Sequence, residues 1–159
     1  INHKPMKGII LLLVFSISSF NILFAQDEDQ KVLIKNVIQS AYVDGLCNNA
    51  DAEAVNKGFH PGFNLLGVGS GNIMWTYPIH SWMENAKNGK KKGLKYSFQN
   101  EFTTIKFVFV DVAGTTAVAK IEFYEGSVMT SIDYLSLLKF EDGWKIVSKT
   151  FYSIPQAEK

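Results

Sequence analysis

The sequence predicts an α+β fold in which helices pack over one face of a curved, mainly antiparallel sheet. Two observations carry this prediction. Helical periodicity dominates residues 28–89, whereas every segment after Tyr96 alternates as strands do. Short turns at residues 113–114, 125–126 and 141–143 separate these later segments, and turns of this length join antiparallel neighbours.

Two helices are predicted at the start of the domain. The first spans residues 28–47, where acidic residues favour the positive end of the helix dipole and apolar residues share one face. Gly45 lies on this face, where it would let another element approach closely. A short second helix is predicted from Ala52 to Lys57, with Asn49 or Asp51 as its N-cap.

One strand, one further helix and a four-strand meander complete the predicted domain. The strand spans Phe63 to Val68, and a glycine-rich loop follows it. The third helix has Pro78 at its first turn and ends at Gly89. The meander consists of Phe102–Val112, Thr115–Tyr124, Val128–Phe140 and Trp144–Tyr152. The predicted architecture is therefore three N-terminal helices packed on a strongly curved sheet.

The charge composition argues against a nucleic-acid partner. The chain of 159 residues has 16 basic residues, all of them lysine, and 15 acidic residues, which gives a formal charge of +1. Arginine is the side chain favoured for bidentate recognition of phosphate, and this sequence contains none. The length and a hydrophobic content of 47% indicate a single globular domain.

Residues 1–25 have the layout of a secretory signal peptide: a lysine, a long apolar stretch, and then Ala25. We predict cleavage after Ala25, which leaves residues 26–159 as one domain without a stable membrane anchor. Residues 1–5 stand before a plausible start at Met6. The mature protein is expected to be periplasmic or secreted, and a permanent anchor is the alternative.

Strand alternation assigns the two faces of the last hairpin. With residues 141–143 as the turn, Ser136 pairs with Ser148 and Tyr134 pairs with Thr150. These four hydroxyl side chains are predicted to lie beneath the helices. An unpaired buried hydroxyl costs about 1–3 kcal/mol, so they need partners. Helix backbone, water or a ligand could supply these partners, and we interpret this face as one that lines a partly polar cavity between sheet and helices.

The opposite face of this hairpin is predicted to point outward. It carries charged residues and an apolar stripe formed by Leu135, Leu137, Val147 and Phe151. An apolar patch on a sheet favours a partner surface, and we interpret the stripe as a homodimer interface. Cover by the C-terminal tail is the alternative. Asp133 falls on this face near Lys149, as an ion pair, but a register shift of one residue would turn Asp133 inward.

Three stretches carry a likeness to a known family: "YVDGLCNNADAEAVNKGFHP" (42–61), "VAGTTAVAKI" (112–121) and "DYLSLLKFEDGWKIVSKTF" (133–151). In their order and spacing they resemble the NTF2-like superfamily, and within it the bacterial "putative lumazine-binding" group. The resemblance implies a cone of three helices wrapped by a strongly bent sheet, a pocket at its wide end, and dimers through the sheet. The group name implies a pterin- or flavin-like ligand. The superfamily also contains isomerases and dehydratases, so fold alone does not decide function.

The candidate site residues form two groups. The aromatic side chains that would form the walls of the pocket are Tyr42, Phe63, Trp75 and Phe123. The polar side chains that would orient a ligand are His60, Tyr134, Ser136, Ser148 and Thr150. His60 is also a catalytic candidate, because histidine titrates near neutrality, and its alternative role is a structural hydrogen bond at the helix-to-strand turn. An inward Asp133 is the other catalytic candidate.

We predict an exported protein that binds a small, flat or apolar molecule and needs no cofactor. The three histidines and Cys47 do not have the spacing of a metal site, and a single cysteine predicts no internal disulfide. Two alternatives stay open. One is an isomerase- or dehydratase-type enzyme that uses His60 or Asp133, and the other is a dimeric interaction module without a ligand.

Overall fold

The computed structural model describes residues 27–91 and 102–156. Its helices are α1 (27–49), α2 (Ala52–Gly58) and α3 (Ile79–Lys91). Its strands are β1 (Phe59–Val68), β2 (Met74–Pro78), β3 (Thr103–Ala113), β4 (Thr116–Glu125), β5 (Val128–Phe140) and β6 (Gly143–Ser153). No helix within these ranges is long and apolar enough to cross a membrane. The predicted signal peptide lies outside the described residues.

The six strands form one curved sheet in the order β2-β1-β6-β5-β4-β3. Strands β3 to β6 are the predicted antiparallel meander, whereas β1 runs parallel to β6, so the sheet is mixed. The edge strand β2 is absent from the prediction, and β1 begins at Phe59 instead of Phe63. The α+β class is confirmed. The three helices are present, but α3 follows two strands and is not strictly N-terminal.

The second part of α1, Ile38–Asn49, is wound as a π-helix. Four buried side chains of α1 stand four residues apart: Ile34 in the α-helical part, and Ile38, Tyr42 and Leu46 in the π-helical part. This spacing is wider than the 3.6 residues of an α-helical turn and fits the wider π turn, which is closed by bonds five residues apart. Tyr42 and Cys47, five residues apart, consequently face the same side.

Glycines allow α1 and α2 to pack closely. A Cβ atom at Gly45 would lie 3.0 Å from the Cβ of Ala54, so the predicted close approach at Gly45 is confirmed. A Cβ atom at Gly58 would collide with the Cβ of Ala41. The Asp51 carboxylate caps α2 by accepting hydrogen bonds from two backbone N–H groups at 2.9 and 3.3 Å. Of the two predicted caps, Asp51 is therefore the one that the structure uses.

The face of β5 that lies under the helices is the opposite of the predicted one. The β4–β5 turn begins one residue later than predicted, which moves the partner of each β4 residue by two positions along β5. A bulge next to Phe123 moves the partners of the earlier β4 residues by one more position. Ala119 therefore pairs with Leu135 instead of Ile132. Because side chains alternate along a strand, this odd total offset moves every side chain of β5 to the other face.

The predicted layer of hydroxyls beneath the helices is therefore wrong. The pairs Ser136–Ser148 and Tyr134–Thr150 form as predicted, but they lie on the convex face. The β4–β5 offset turns the two β5 residues outward, and a bulge in β6 beside Ser136 turns Ser148 and Thr150 away from the face of Ile146. On the convex face Tyr134 is 41% exposed, and Ser136 and Thr150 are also exposed. The concave face of β5 carries Asp133 together with residues of the stripe that was expected to point outward.

That stripe mostly belongs to the core. Leu135 and Leu137 are fully buried beneath the helices, so they cannot form an exposed dimer interface. The concave face of β4 is as predicted, with Ala117, Ala119 and Ile121 buried. The small side chains of β4 and the large ones of β5 together receive α1, and this packing places Tyr42 directly above Asp133.

Candidate functional site

A buried ion pair lies on the concave face of the sheet. Lys149 Nζ is 2.5 Å from Asp133 Oδ2, and the two side chains are 7% and 0% exposed. Lys149 stands opposite Leu135 in the β5–β6 register, so Asp133 is its diagonal neighbour on the adjacent strand. Moving either charge out of water costs several kcal/mol, so each ion needs the other in this position.

Two hydroxyl groups complete the hydrogen bonding of Asp133. The Tyr42 hydroxyl donates to Oδ2 at 2.9 Å, and Ser131 Oγ donates to Oδ1 at 2.7 Å. Lys149 Nζ also donates to the Tyr42 hydroxyl. Burial and the negative charge of Asp133 raise the pKa of Tyr42 well above its usual value, so Tyr42 stays protonated and keeps donating.

Four aromatic rings surround the ammonium group of Lys149, and we call this arrangement the Lys149 cage. The ring centroids of Tyr42, Trp82, Phe123 and Phe151 lie 4.7, 5.4, 5.4 and 5.3 Å from Nζ. Aromatic faces attract a cation at such distances. The rings come from α1, α3, β4 and β6, so the cage forms only when helices and sheet are packed together.

A cavity of about 240 Å³ opens beside the Lys149 cage. Its described lining combines aromatic, aliphatic and polar side chains: Tyr42, Cys47, Leu65, Trp82, Thr103, Phe123, Glu125, Thr130, Ser131, Lys149, Phe151 and Ser153. Apolar walls with a few convergent polar groups are typical of small-molecule sites. An ammonium group has three N–H donors, and among the described residues Asp133 and Tyr42 accept two of them. The third can serve an acceptor in the cavity.

Cys47 forms part of the cavity wall as a thiol. Burial raises the pKa of Cys47 to about 12, the charges of Asp133 and Glu125 act in the same direction, and Lys149 opposes them. A thiol with this pKa carries almost no thiolate at neutral pH. Cys47 therefore acts as a small apolar wall residue and not as a nucleophile.

The predicted aromatic residues take three different positions. Tyr42 and Phe123 line the cavity. Phe63 is buried behind Trp82, with ring centroids 6.2 Å apart, and does not reach the cavity. Trp75 lies at the edge of the site, where its ring is 6.3 Å from that of Phe151.

The predicted polar residues do not line the cavity. Tyr134, Ser136, Ser148 and Thr150 belong to the convex face, as described above. His60 Nδ1 accepts a hydrogen bond from the Gly62 N–H at 3.0 Å, and its ring stacks on Phe140 at 4.9 Å. Phe140 lies roughly 30 Å along an extended strand from Ser131, which places His60 far from the cavity.

Sequence reasoning missed Lys149, Trp82, Ser131 and Glu125 as members of the site. Apolar patterning along β5 gave no usable signal. The face with Leu135 and Leu137 also carries Asp133 and Lys139, whereas the opposite face carries no charged residue. A criterion of apolar content would therefore have kept Asp133 and Lys149 on the outer face. Among the described residues no group of three or more His, Cys, Asp or Glu side chains could hold a metal ion.

Comparisons with known proteins place the fold. An NTF2-like protein of unknown function from Shewanella baltica aligns with a TM-score of 0.62 at 25% identity, over 80% of this chain and 96% of that one. An NTF2-like protein of unknown function from Silicibacter pomeroyi aligns with a TM-score of 0.63 at 16% identity, over 80% and 98% of the two chains. No curated protein matches the sequence.

A family model described as "Putative lumazine-binding" matches residues 29–152. The matched range contains α1 from residue 29 onward, the whole sheet but for its last residue, and every residue of the Lys149 cage. The two structural neighbours from Shewanella baltica and Silicibacter pomeroyi are NTF2-like proteins, as the sequence resemblance implies. The chain therefore belongs to the "putative lumazine-binding" family of NTF2-like proteins.

Proposed function

We propose that this protein binds a small, flat molecule in the cavity beside the Lys149 cage. The observation that carries the proposal is the convergence of four aromatic rings on an ammonium group at the cavity wall. Aromatic rings stack on flat ligands, and an N–H donor of Lys149 selects a ligand with a ring carbonyl or a similar acceptor. The family description supports a ligand of this class, because lumazine is a flat, two-ring molecule with carbonyl groups.

The cavity also offers acceptors to a ligand that carries N–H groups. Ser131 Oγ gives its proton to Asp133, so its lone pairs remain to accept. Glu125 and Thr130 line the same cavity with further oxygen atoms. Donor and acceptor groups on different walls would fix the orientation of a heteroaromatic ring within its plane.

Lumazine is expected to bind the wild-type protein saturably, with a change in its fluorescence as it stacks on the cage. Phe123→Leu should weaken this binding roughly 2–10-fold, because one aromatic partner is lost. Tyr134→Leu is the matched control, since it removes a ring from the convex face of the neighbouring strand, and should leave the affinity unchanged. The absence of saturable binding, or equal losses in both variants, would contradict the proposal.

An acid–base enzyme of the isomerase or dehydratase type is the second candidate. The observation in its favour is that Asp133 points inward, toward the cavity. Both oxygens of Asp133 are engaged, however, so a proton would have to pass through Tyr42, Ser131 or Lys149 to reach a ligand. A pH-dependent turnover that disappears in Asp133→Asn while ligand binding persists would favour the enzyme over the binder.

Export and homodimer formation complete the proposal. Export is supported by the signal-peptide layout of residues 1–25, and protein recovered from the periplasm should begin at Gln26 by intact mass.

A dimer would use the convex face, where Tyr134, Leu138 and Phe140 are exposed. Sedimentation velocity should show a dimer that Leu138→Lys converts to monomer, and a monomeric wild-type protein would contradict this assembly.

A further inference from the structure

The β1–β2 hairpin presents exposed apolar side chains next to the cavity. Residues 61–78 contain no lysine, aspartate or glutamate. Near the tip of this hairpin Ile73 is 64% exposed and Trp75 is 36% exposed. Exposed apolar side chains that lie together usually mark a site of interaction.

The side chains of Trp75 and Ile73 lie on the face of the hairpin that lines the cavity. Leu65 pairs with Tyr77 and Gly67 pairs with Trp75, so Trp75 lies on the same face as Leu65, a cavity residue. A Cβ atom at Gly67 would collide with the indole ring of Trp75, which shows that the ring lies across this glycine. The indole is held there by a hydrogen bond from Nε1 to the Val68 carbonyl at 3.2 Å.

Ile73 continues the same face toward the hairpin tip. A Cβ atom at Gly69 would lie 3.6 Å from the Cβ and Cγ2 atoms of Ile73, so the Ile73 side chain covers Gly69 as Trp75 covers Gly67. Gly67 and Gly69 are two residues apart and therefore point to one side of the strand. The two glycines give this part of the face a flat floor.

This surface is continuous with the cavity. Leu65 stands beside Lys149 in the parallel register of β1 and β6, and Gly67 and Phe151 follow two residues later on the same face of each strand. The rings of Trp75 and Phe151 lie 6.3 Å apart, and Phe151 belongs both to the cavity wall and to the Lys149 cage. Phe151, Trp75 and Ile73 thus form an apolar strip that leads from the cavity outward, which we call the Trp75 track.

We infer that the ligand of this protein is an amphiphile, whose flat polar head occupies the cavity while an attached apolar chain lies along the Trp75 track. The inference rests on the proposed function, because the head is the molecule proposed for the cavity. A cavity of about 240 Å³ holds only a head of one or two rings. A chain on that head would leave past Phe151 and would there meet the uncharged side chains of Trp75 and Ile73.

Two fluorescent probes with the same two-ring head test this inference: 7-hydroxy-4-methylcoumarin and 7-hydroxy-4-heptylcoumarin. The heptyl probe should bind on the order of 50-fold more tightly, as expected if about half of the surface of its six additional methylenes is covered. Ile73→Ser should weaken the heptyl probe on the order of 5-fold and leave the methyl probe unchanged. Direct titration of each probe gives these affinities.

Met74→Ser is the matched control for Ile73→Ser. Met74 is the next residue, is 66% exposed, and pairs with Val68 on the opposite face of the hairpin. This variant should change the affinity of neither probe. Equal losses in the two variants would show that the heptyl chain does not follow the Trp75 track and would overturn the inference.

The other outcomes also decide the question. Equal affinities for the two probes, or no binding of either, would overturn the inference, whereas the proposed function is judged separately by the lumazine titration. If Ile73→Ser altered the sedimentation coefficient and not the heptyl affinity, the track would be a self-association surface. If the heptyl gain appeared only with phosphatidylcholine vesicles present, the track would be a lipid contact. Either result would overturn the inference that the ligand is an amphiphile.

Discussion

Replacing Asp133 with Ala is expected to lower the free energy of unfolding by about 3–5 kcal/mol. The substitution leaves the Lys149 ammonium buried without its counter-ion, and it also removes the acceptor for the Tyr42 and Ser131 hydroxyls. A buried ion that loses its hydrogen-bonded counter-ion retains its desolvation penalty. Urea denaturation at neutral pH, followed by tryptophan fluorescence, measures the difference.

Two controls separate the buried charge from other effects of the substitution. Combining Asp133→Leu with Lys149→Met removes both ions and should restore most of the lost stability, because only the Tyr42 and Ser131 hydroxyls then lack their former partner. Glu122 forms a partly exposed pair with Lys106 at 3.4 Å and accepts a hydrogen bond from the Tyr124 hydroxyl at 2.7 Å. Glu122→Gln keeps an acceptor for Tyr124 and should change the free energy of unfolding far less than Asp133→Ala does. If the Asp133→Ala variant unfolded at the same urea concentration as the Glu122→Gln variant, the buried pair would not stabilise the fold.

The type of most elements could be predicted from local patterns in the sequence. Apolar spacing identifies α1, and the short turns after Ala113 and Glu125 identify the meander. The strand β2 could not be found in this way, because its residues are largely exposed and follow a glycine-rich loop. It forms because β1 offers a free edge, which is a property of the tertiary structure and not of the local sequence.

The faces of the strands were harder to predict than the strands themselves. The pairing of Ser136 with Ser148 and the proximity of Asp133 to Lys149 are correct, yet both were assigned to the wrong side of the sheet. A bulge adds one residue to one strand without a clear sequence signal, and one residue is enough to exchange the two faces. The alternative that was kept open, an inward Asp133, is the arrangement that the structure has.

The residues of the candidate site also divide into those that local sequence patterns predict and those that depend on the tertiary structure. Tyr42 and Phe123 could be predicted as wall residues because the apolar face of α1 and the alternation along β4 are unambiguous. Lys149 could not, because a lysine is normally assigned to water unless its partner is known to be buried. Its position depends on two bulges, on the π winding that brings Tyr42 above Asp133, and on Trp82 from a distant helix.

Replacing Gly58 with Ala is expected to lower the free energy of unfolding by about 1–3 kcal/mol and to weaken lumazine binding. The new methyl group would collide with the Cβ of Ala41 and would lie 3.3 Å from Val37 Cγ1, so α1 must move away from α2. Ala41 directly precedes Tyr42, and the same movement would pull the Tyr42 hydroxyl away from Asp133. Denaturation and lumazine titration should therefore change together.

The double variant Ala41→Gly/Gly58→Ala tests this explanation by moving the missing methyl group from one helix to the other. It should recover the affinity for lumazine, because α1 can return to its original distance, although a glycine inside α1 costs roughly 0.5–1 kcal/mol of stability. If position 58 instead requires glycine for its backbone conformation, the double variant should recover neither the affinity for lumazine nor the stability. Recovery of binding without full recovery of stability would establish that the close contact of α1 with α2 sets the position of Tyr42 in the Lys149 cage.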